Sequence, residues 1–192
     1  VSCADAALEK DRHYTWRVRV WDEADTPSAW SESSDFSILT SEAAFAGSEW
    51  IGAITRKDAH LPEGRKYHGS ELKKPEAKAA WAAVDTLAKK SIYLRREFYV
   101  AKKVKDATAY VCGLGFYEFS LNGEKVGDSE FAPLWSDYDK SVYYNTYDVT
   151  SQVKKGGNAI GVLLGNGFYN VQGGRYRKLQ ISFGAPTLRF RM

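Results

Sequence analysis

The chain has 192 residues, a formal net charge of +3, a hydrophobic fraction of 44% and an aromatic fraction of 14%. That is enough apolar sequence to bury the core of one large domain, or of one and a half small ones. The small net charge, with basic residues scattered or in doublets such as Lys73-Lys74 and Lys102-Lys103, gives no ground for nucleic-acid binding. Two cysteines, Cys3 and Cys112, exclude by count a disulfide framework or a cysteine zinc site. No apolar run of about 18 residues is present, so no membrane-spanning helix is expected. No signal peptide is recognisable, and the chain starts at Val1 and stops on an apolar alternation, Thr187 to Met192. Both ends read as cuts through a longer protein.

In chain order, Tyr14, Trp16, Val18 and Val20 alternate with Thr15, Arg17 and Arg19, the pattern of a half-buried strand. A polar loop with Pro27 follows, and Phe36 and Ile38 mark a second strand. Leu8 precedes Tyr14 across the polar stretch EKDRH. This spacing resembles the tyrosine corner of fibronectin type III domains, where a Tyr hydroxyl bonds back to the main chain at a strand entry. Residues 1–40 therefore resemble the last two strands of such a domain. Two strands cannot close a core alone, so they are expected to pair with further strands or to pack on the next domain. Residues 41–49, opening SEAAFAGS, read as a linker.

Residues 50–192 form the second predicted domain. After the short apolar run at Trp50 to Ile54, residues 56–74 read as a long charged loop. Pro75 and the Ala-rich stretch after it predict one short helix reaching Leu87, with Trp81, Val84 and Leu87 as its buried stripe. Residues 92–100 alternate as a strand, with Ile92, Leu94, Arg96 and Phe98 opposite Tyr93, Arg95, Glu97 and Tyr99. The clearest signal lies in ATAYVCGLGFYEFSLNGEKVG, residues 107–127. Alternating strands flank a Gly113-Leu114-Gly115 bend, and Asn122-Gly123 is the dipeptide that a tight type I′ hairpin demands. Cys112 in this meander reads as a small buried hydrophobe. Further strands are predicted at residues 142–149, 158–164, 179–183 and 187–190. Many short strands, one short helix and frequent turn signals predict an all-β fold, a jelly-roll-like antiparallel β-sandwich behind the two fibronectin-like strands.

Four runs, LRREFYV, GLGFYEFSLNGEKVGD, FAPLWSDYDKSVYYNTYDVT and NAIGVLLGNGFYN, resemble the N-terminal β-sandwich domain of bacterial α-L-rhamnosidases. The resemblance covers residues 50–192. It implies a non-catalytic accessory domain, akin in architecture to carbohydrate-binding modules, in front of an (α/α)-barrel that performs inverting hydrolysis of terminal α-L-rhamnose. It also implies a periplasmic or extracellular bacterial protein, a rhamnose-containing glycan as ligand, and the downstream catalytic domain of the same chain as a partner. The fragment itself is then expected to be inactive.

Two aromatic loops are the candidate carbohydrate sites. Trp135 and Tyr138 sit in one, Asn166, Phe168 and Tyr169 in the other, and Arg175 in a glycine-flanked loop nearby. Aromatic faces stack on the apolar faces of pyranose rings, and short polar groups fix the hydroxyls. The glycines around Asn166 would admit either a ligand or another backbone. Two readings stand: exposed rings lining a groove would bind sugar, whereas rings plugging the core under their loops would leave a spacer domain without a ligand. Calcium is a candidate cofactor, with Asp137 and Asp139 as oxygen ligands and Asp128 nearby, although their spacing matches no EF-hand. Asp137 and Asp139 would lie about 7 Å apart along an extended loop, but any D-x-D does the same, so no catalytic residue is assigned. The loop with His60, Arg65, Tyr67 and His68 is a candidate wall for an active site supplied elsewhere.

Overall fold

A computed structural model of the chain describes residues 8–9, 12–38, 41–55, 57–61, 67–171 and 179–192. It divides into two compact units, Val1–Ala46 and Gly47–Met192.

The first unit is built on an antiparallel hairpin of β1 (Arg12–Trp16) and β2 (Ser34–Ile38), in which Tyr14 stands opposite Phe36. Their rings stack 5.5 Å apart. The Glu9 N–H donates to the Tyr14 hydroxyl at 2.6 Å, and that hydroxyl lies 3.4 Å from the Glu9 carbonyl, so the tyrosine corner is formed. Regular pairing stops at Trp16, before the alternation ends at Val20. The hairpin continues by other means. The Val18 and Val20 N–H groups donate to the hydroxyls of Ser31 and Ser28, while the N–H groups of those serines donate back to the valine carbonyls at 2.8 Å. Side-chain oxygens thus replace main-chain carbonyls on one side of the ladder. The Arg19 guanidinium lies 4.7 Å from the Trp21 ring centre and 4.6 Å from that of Trp30, holding this extension by cation–π contact. The stretch read as a linker begins with a single helical turn, α1 (Ser41–Ala44).

The second unit comprises β3 (Trp50–Gly52), β4 (Tyr67–His68), α2 (Pro75–Ala83), β5 (Ile92–Val100), β6 (Thr108–Leu114), β7 (Tyr117–Leu121), β8 (Glu124–Lys125), β9 (Asn145–Asp148), β10 (Gly156–Leu164), β11 (Asn170–Val171), β12 (Leu179–Ser182) and β13 (Thr187–Arg191). Among the described residues they make two four-stranded antiparallel sheets, β5-β10-β7-β8 and β3-β13-β6-β9, and a smaller sheet, β11-β12-β4. The chain passes from one large sheet to the other at β5–β6, β6–β7, β8–β9 and β9–β10, the crossing pattern of a jelly roll. The fold is therefore an all-β sandwich. Ala109, Val111 and Leu188 from one sheet meet Phe119, Leu121 and Val162 from the other in the main core. These are the alternate residues of their strands, so one face of each sheet is apolar because the period is two.

The Asn122-Gly123 hairpin forms as its dipeptide demands. Both residues have positive φ, 55° and 86°, and Leu121 pairs with Glu124 across the turn.

Several elements depart from the pattern-based expectation. Helix α2 ends at Ala83, because Val84 turns extended while its N–H still bonds the Trp81 carbonyl. Leu87 therefore leaves the helical period. It is exposed on a 3-10 turn, Leu87–Lys89, and Ala88 is buried in its place with Trp81 and Val84. Strand β9 starts at Asn145 rather than at residue 142. Opposite Cys112 the thiol itself donates to the Tyr143 carbonyl at 3.3 Å, in place of a main-chain donor. Within the loop read over residues 56–74, β4 pairs with β12, and a 3-10 turn follows at Gly69–Lys73.

Cys112 is buried as expected, and burial pushes its thiol up to about 11. The reactive thiolate is thus scarce below that pH. In a Cys3→Ser background, Cys112 is expected to resist an aromatic disulfide reagent at pH 8 while the fold persists, and to react once denaturant unfolds the chain. Release of the coloured thiolate measures both. Prompt labelling of the native chain would contradict this placement.

Candidate functional site: an aromatic cap at one end of the sandwich

The candidate site is made by three loops that the core strands bring together. The bend between β6 and β7 carries Phe116. The long loop after β8 carries Phe131, Leu134 and Trp135, and the loop after β10 carries Phe168. Main-chain bonds fasten the loops to one another. The Tyr117 N–H donates to the Ala132 carbonyl at 2.7 Å, and the Gly165 N–H donates to the Phe116 carbonyl at 2.7 Å. Ala132 and Pro133 are buried, so the residues on either side of them, Phe131 and Leu134, are pushed outward.

The rings form a continuous row. Phe131 lies 5.5 Å from Phe116, Phe116 lies 5.7 Å edge-on from Phe168, and Phe168 lies 5.8 Å from Trp135. These spacings are those of mutually attractive aromatic pairs. Yet Trp135 remains 66% exposed and Leu134 75% exposed, and Phe131 and Phe168 are exposed with them. Large apolar side chains left together in water are unfavourable, which makes this row a candidate contact surface.

The other predicted residues do different work. Tyr138 and Tyr169 are half-buried and pack with Phe183, Tyr138 edge-on at 5.2 Å from Tyr169 and 5.1 Å from Phe183. The Tyr169 hydroxyl donates to the Phe183 carbonyl at 3.3 Å. Burial raises the Tyr138 hydroxyl above the ordinary phenol range. Asn166 gives its amide to the scaffold: its Nδ2 donates to the Lys89 carbonyl at 2.9 Å, and its Oδ1 accepts from Asn170 at 2.9 Å. Asn170, fully buried, donates in turn to the Ala88 carbonyl at 2.7 Å. The structure thus brings Trp135 and Phe168 together at the surface, groups Tyr138 with Tyr169 beneath, and uses Asn166 to tie the loop to the turn after α2. Arg175 lies outside the described residues.

Asp137 closes its own turn. Its carbonyl accepts from the Lys140 and Ser141 N–H groups at 2.9 Å, and its carboxylate lies 3.0 Å from the Lys140 ammonium. The Asp139 N–H faces the other carboxylate oxygen of Asp137 at 3.4 Å. Among the described residues no group of three or more His, Cys, Asp and Glu side chains is placed to hold a metal. In the other candidate loop, His60 sits at positive φ in a turn, and Tyr67 and His68 form β4; Arg65 lies outside the described residues.

Phe116, Phe131 and Leu134 were absent from the sequence-based site. The available signal was weak: Phe131 and Leu134 flank a buried Ala-Pro pair, an apolar run with no strand or helix period to turn it inward.

Residues 102–192 match the α-L-rhamnosidase N-terminal domain family, and residues 1–39 match the Rha78A-like N-terminal immunoglobulin domain. Fibronectin type III domains share that immunoglobulin-like sandwich architecture. An α-L-rhamnosidase of Formosa agariphila is 36% identical over 187 residues, which cover 95% of this chain and 19% of that protein. The solved α-L-rhamnosidase of Dictyoglomus thermophilum superposes with a TM-score of 0.62 at 31% identity, covering 95% of this chain and 18% of that one. The structure of an Aspergillus terreus α-L-rhamnosidase gives a TM-score of 0.65 at 27% identity, with the same coverage of 95% and 18%. The chain therefore spans about a fifth of the length of these relatives. On its sheet topology and these matches, residues 102–192 belong to the α-L-rhamnosidase N-terminal domain family, preceded in the same chain by an immunoglobulin-like N-terminal segment.

Proposed function

We propose that this chain is the non-catalytic front part of a glycoside hydrolase that cleaves α-L-rhamnosides, and that its aromatic cap packs on the catalytic portion of the same enzyme. The row Phe131–Phe116–Phe168–Trp135 carries the reading, because its rings are ordered against one another yet left in water. The Asn166 amide beside the row is turned to the scaffold, bonded to Lys89 and Asn170. A sugar site needs polar groups that converge on its ring faces, whereas a domain interface needs an apolar centre with a satisfied polar rim. The cap fits the second description. Recognition of a rhamnose-containing glycan at Trp135 and Phe168 is the competing reading, favoured by the open face of Trp135.

The test has two arms. In the first, the 192-residue chain is titrated with the separately produced remainder of its parent enzyme. Complex formation is expected, and Leu134→Ser or Trp135→Ser should weaken it roughly tenfold or more, as removal of a central aromatic or aliphatic anchor does. In the second, the chain alone is titrated with L-rhamnose, with and without calcium, and followed by tryptophan fluorescence. A millimolar sugar response abolished by Trp135→Ser, without complex formation, would replace packing by glycan recognition. Silence in both arms would leave a spacer and overturn the proposal.

A further inference from the structure

Strand β5 lies at one edge of its sheet and turns Ile92, Leu94 and Phe98 to the core. The alternate residues face away, and among them Tyr93 and Tyr99 are 82% and 75% exposed. Between the two tyrosines stand Arg95 and Glu97, ion-paired to each other. The register then determines what lies beside them. Opposite Tyr99, Glu97 and Arg95, strand β10 presents Gly157, Ala159 and Gly161. No side chain larger than a methyl group rises along that stretch. On the far side of the lane, β7 places Ser120 opposite Gly161 and Glu118 opposite Leu163, and β8 places Lys125 opposite Ser120.

The outcome is a trough. Its floor is bare at Gly157 and Ala159, is covered by the Ser120 hydroxyl at Gly161 and rises to Leu163 opposite Tyr93. One wall holds the two tyrosines, and the other, beside Gly161 and Leu163, holds Ser120 and Glu118, with Lys125 one strand further out. The axes of β5 and β7 lie two strand spacings, about 10 Å, apart, and the six-residue step from Tyr93 to Tyr99 gives a length of about 20 Å. The Gly157 end is open, with no atom within 4 Å of where a Cβ would stand. At the Gly161 end the Ser120 hydroxyl donates to the Gly161 carbonyl at 3.1 Å.

The charges decide the class of ligand. Arg95 is offset by Glu97, and Lys125 lies 2.9 Å from Glu130 and 3.9 Å from Glu118. The two positive groups on this face stand against three carboxylates, so it carries no positive excess to attract an anionic ligand. What it offers is two ring faces a long step apart, a backbone floor that a flat ring approaches closely, and hydrogen-bonding groups of both kinds along the walls. A neutral chain of linked pyranose rings answers all three. We propose that the outer face of the β5-β10-β7-β8 sheet is a binding trough for a neutral oligosaccharide, stacked on Tyr93 and Tyr99 and separate from the aromatic cap. The trough rests on its own geometry; only the choice of a rhamnose-based probe below rests on the family assignment.

The full 192-residue chain is titrated calorimetrically with two neutral hexasaccharides, a rhamnan hexamer and cellohexaose, and with an acidic oligogalacturonate. At least one neutral hexamer is expected to bind at millimolar sugar or below, and the acidic oligomer is expected to bind more weakly. Tyr93→Ala and Tyr99→Ala should each weaken binding roughly tenfold, the loss of one aromatic stacking contact, whereas Tyr93→Phe should retain it. Gly157→Ile, which has room to fold, should block the lane and abolish binding. Trp135→Ser should leave the titration unchanged, which separates this site from the cap whatever the fate of that reading. Circular dichroism on each variant confirms the fold. Failure of both neutral hexamers to bind, preference for the acidic oligomer, or binding indifferent to Tyr93, Tyr99 and Gly157 would overturn the proposal.

Discussion

Replacing Gly115 by alanine is expected to be the most damaging single-methyl change in the second unit, costing about 4 kcal/mol or more. Two independent effects act at this position. Gly115 has φ +124°, a conformation that side-chain-bearing residues rarely adopt, and a Cβ built there falls 2.1 Å from the Gly165 carbonyl oxygen. That oxygen belongs to main chain fixed by the Gly165 N–H bond to Phe116, so it cannot swing aside as a flexible side chain would. Relief requires the two loops to part, which breaks the fastening of the aromatic row. Thermal unfolding followed by circular dichroism measures the loss, expected to lower the midpoint by about 10 °C or more. Two other glycines serve as controls. Gly156→Ala keeps the unfavourable φ of +102° but meets nothing within 4 Å, so it isolates the backbone term at about 1 kcal/mol. Gly157→Ala has neither problem and should be close to neutral. A Gly115→Ala midpoint no lower than that of Gly156→Ala would show that the backbone contact with Gly165 does not constrain the fold.

The second large effect is expected at Asn122, where alanine should cost about 3 kcal/mol. The residue holds positive φ in the turn, and its side chain also stitches that turn to the strand behind it. Its Nδ2 donates to the Gln152 carbonyl at 2.8 Å and to Asn158 Oδ1 at 2.9 Å, and its Oδ1 accepts the Ala159 N–H at 3.0 Å. Asn158 is buried and continues the network, its amide bonded at both ends to the Lys154 main chain. Alanine removes the side-chain bonds and leaves buried groups of Asn158 and Ala159 without these partners. It also places a Cβ at positive φ without the local compensation that asparagine enjoys. Glycine at the same position relieves only the second problem, so Asn122→Gly should recover about 1 kcal/mol relative to Asn122→Ala. Chemical denaturation of the three proteins measures the split. Equal stability of the glycine variant and the parent chain would mean that the network contributes nothing.

These two residues show what could and could not be read from the chain alone. The dipeptide Asn122-Gly123 was legible because a tight hairpin makes a demand on φ that few residues meet. The side chain of Asn122 was not, since its partners lie 30 to 37 residues further on. The glycines around Asn166 announced a close approach without saying of what, and the structure supplies the backbone of Gly115 and Phe116. Alternation separated the two faces of β5 and β7, so Tyr93 and Tyr99 already stood on the side opposite Ile92, Leu94 and Phe98, whereas residues 158–164 read only as a strand. The lane beside them needed the register between β5 and β10, which the hydrophobic pattern of one strand does not specify. Loops carry no period at all. Trp135 and Phe168 stood out as aromatics in polar surroundings, but their meeting, and the part played by Phe131 and Leu134, depends on how three loops are tied together in space. Leu87 failed for a related reason, because an apolar stripe extrapolated along a helix has no meaning beyond the residue where the helix stops.

The main-chain bonds from Tyr117 to Ala132 and from Gly165 to Phe116 have a thermodynamic consequence for whatever covers the rings. Loops on a protein surface ordinarily surrender conformational freedom when they are covered, and that loss subtracts from affinity. Here much of the loss is already incurred during folding, because the three ring-bearing segments are joined through their backbones before any partner arrives. Association through Phe131, Leu134, Trp135 and Phe168 should therefore show the negative heat-capacity change of apolar burial with only a small entropic penalty from ordering. Loosening the Gly115–Gly165 junction in a variant that still folds would raise that penalty and weaken association without touching a single exposed ring.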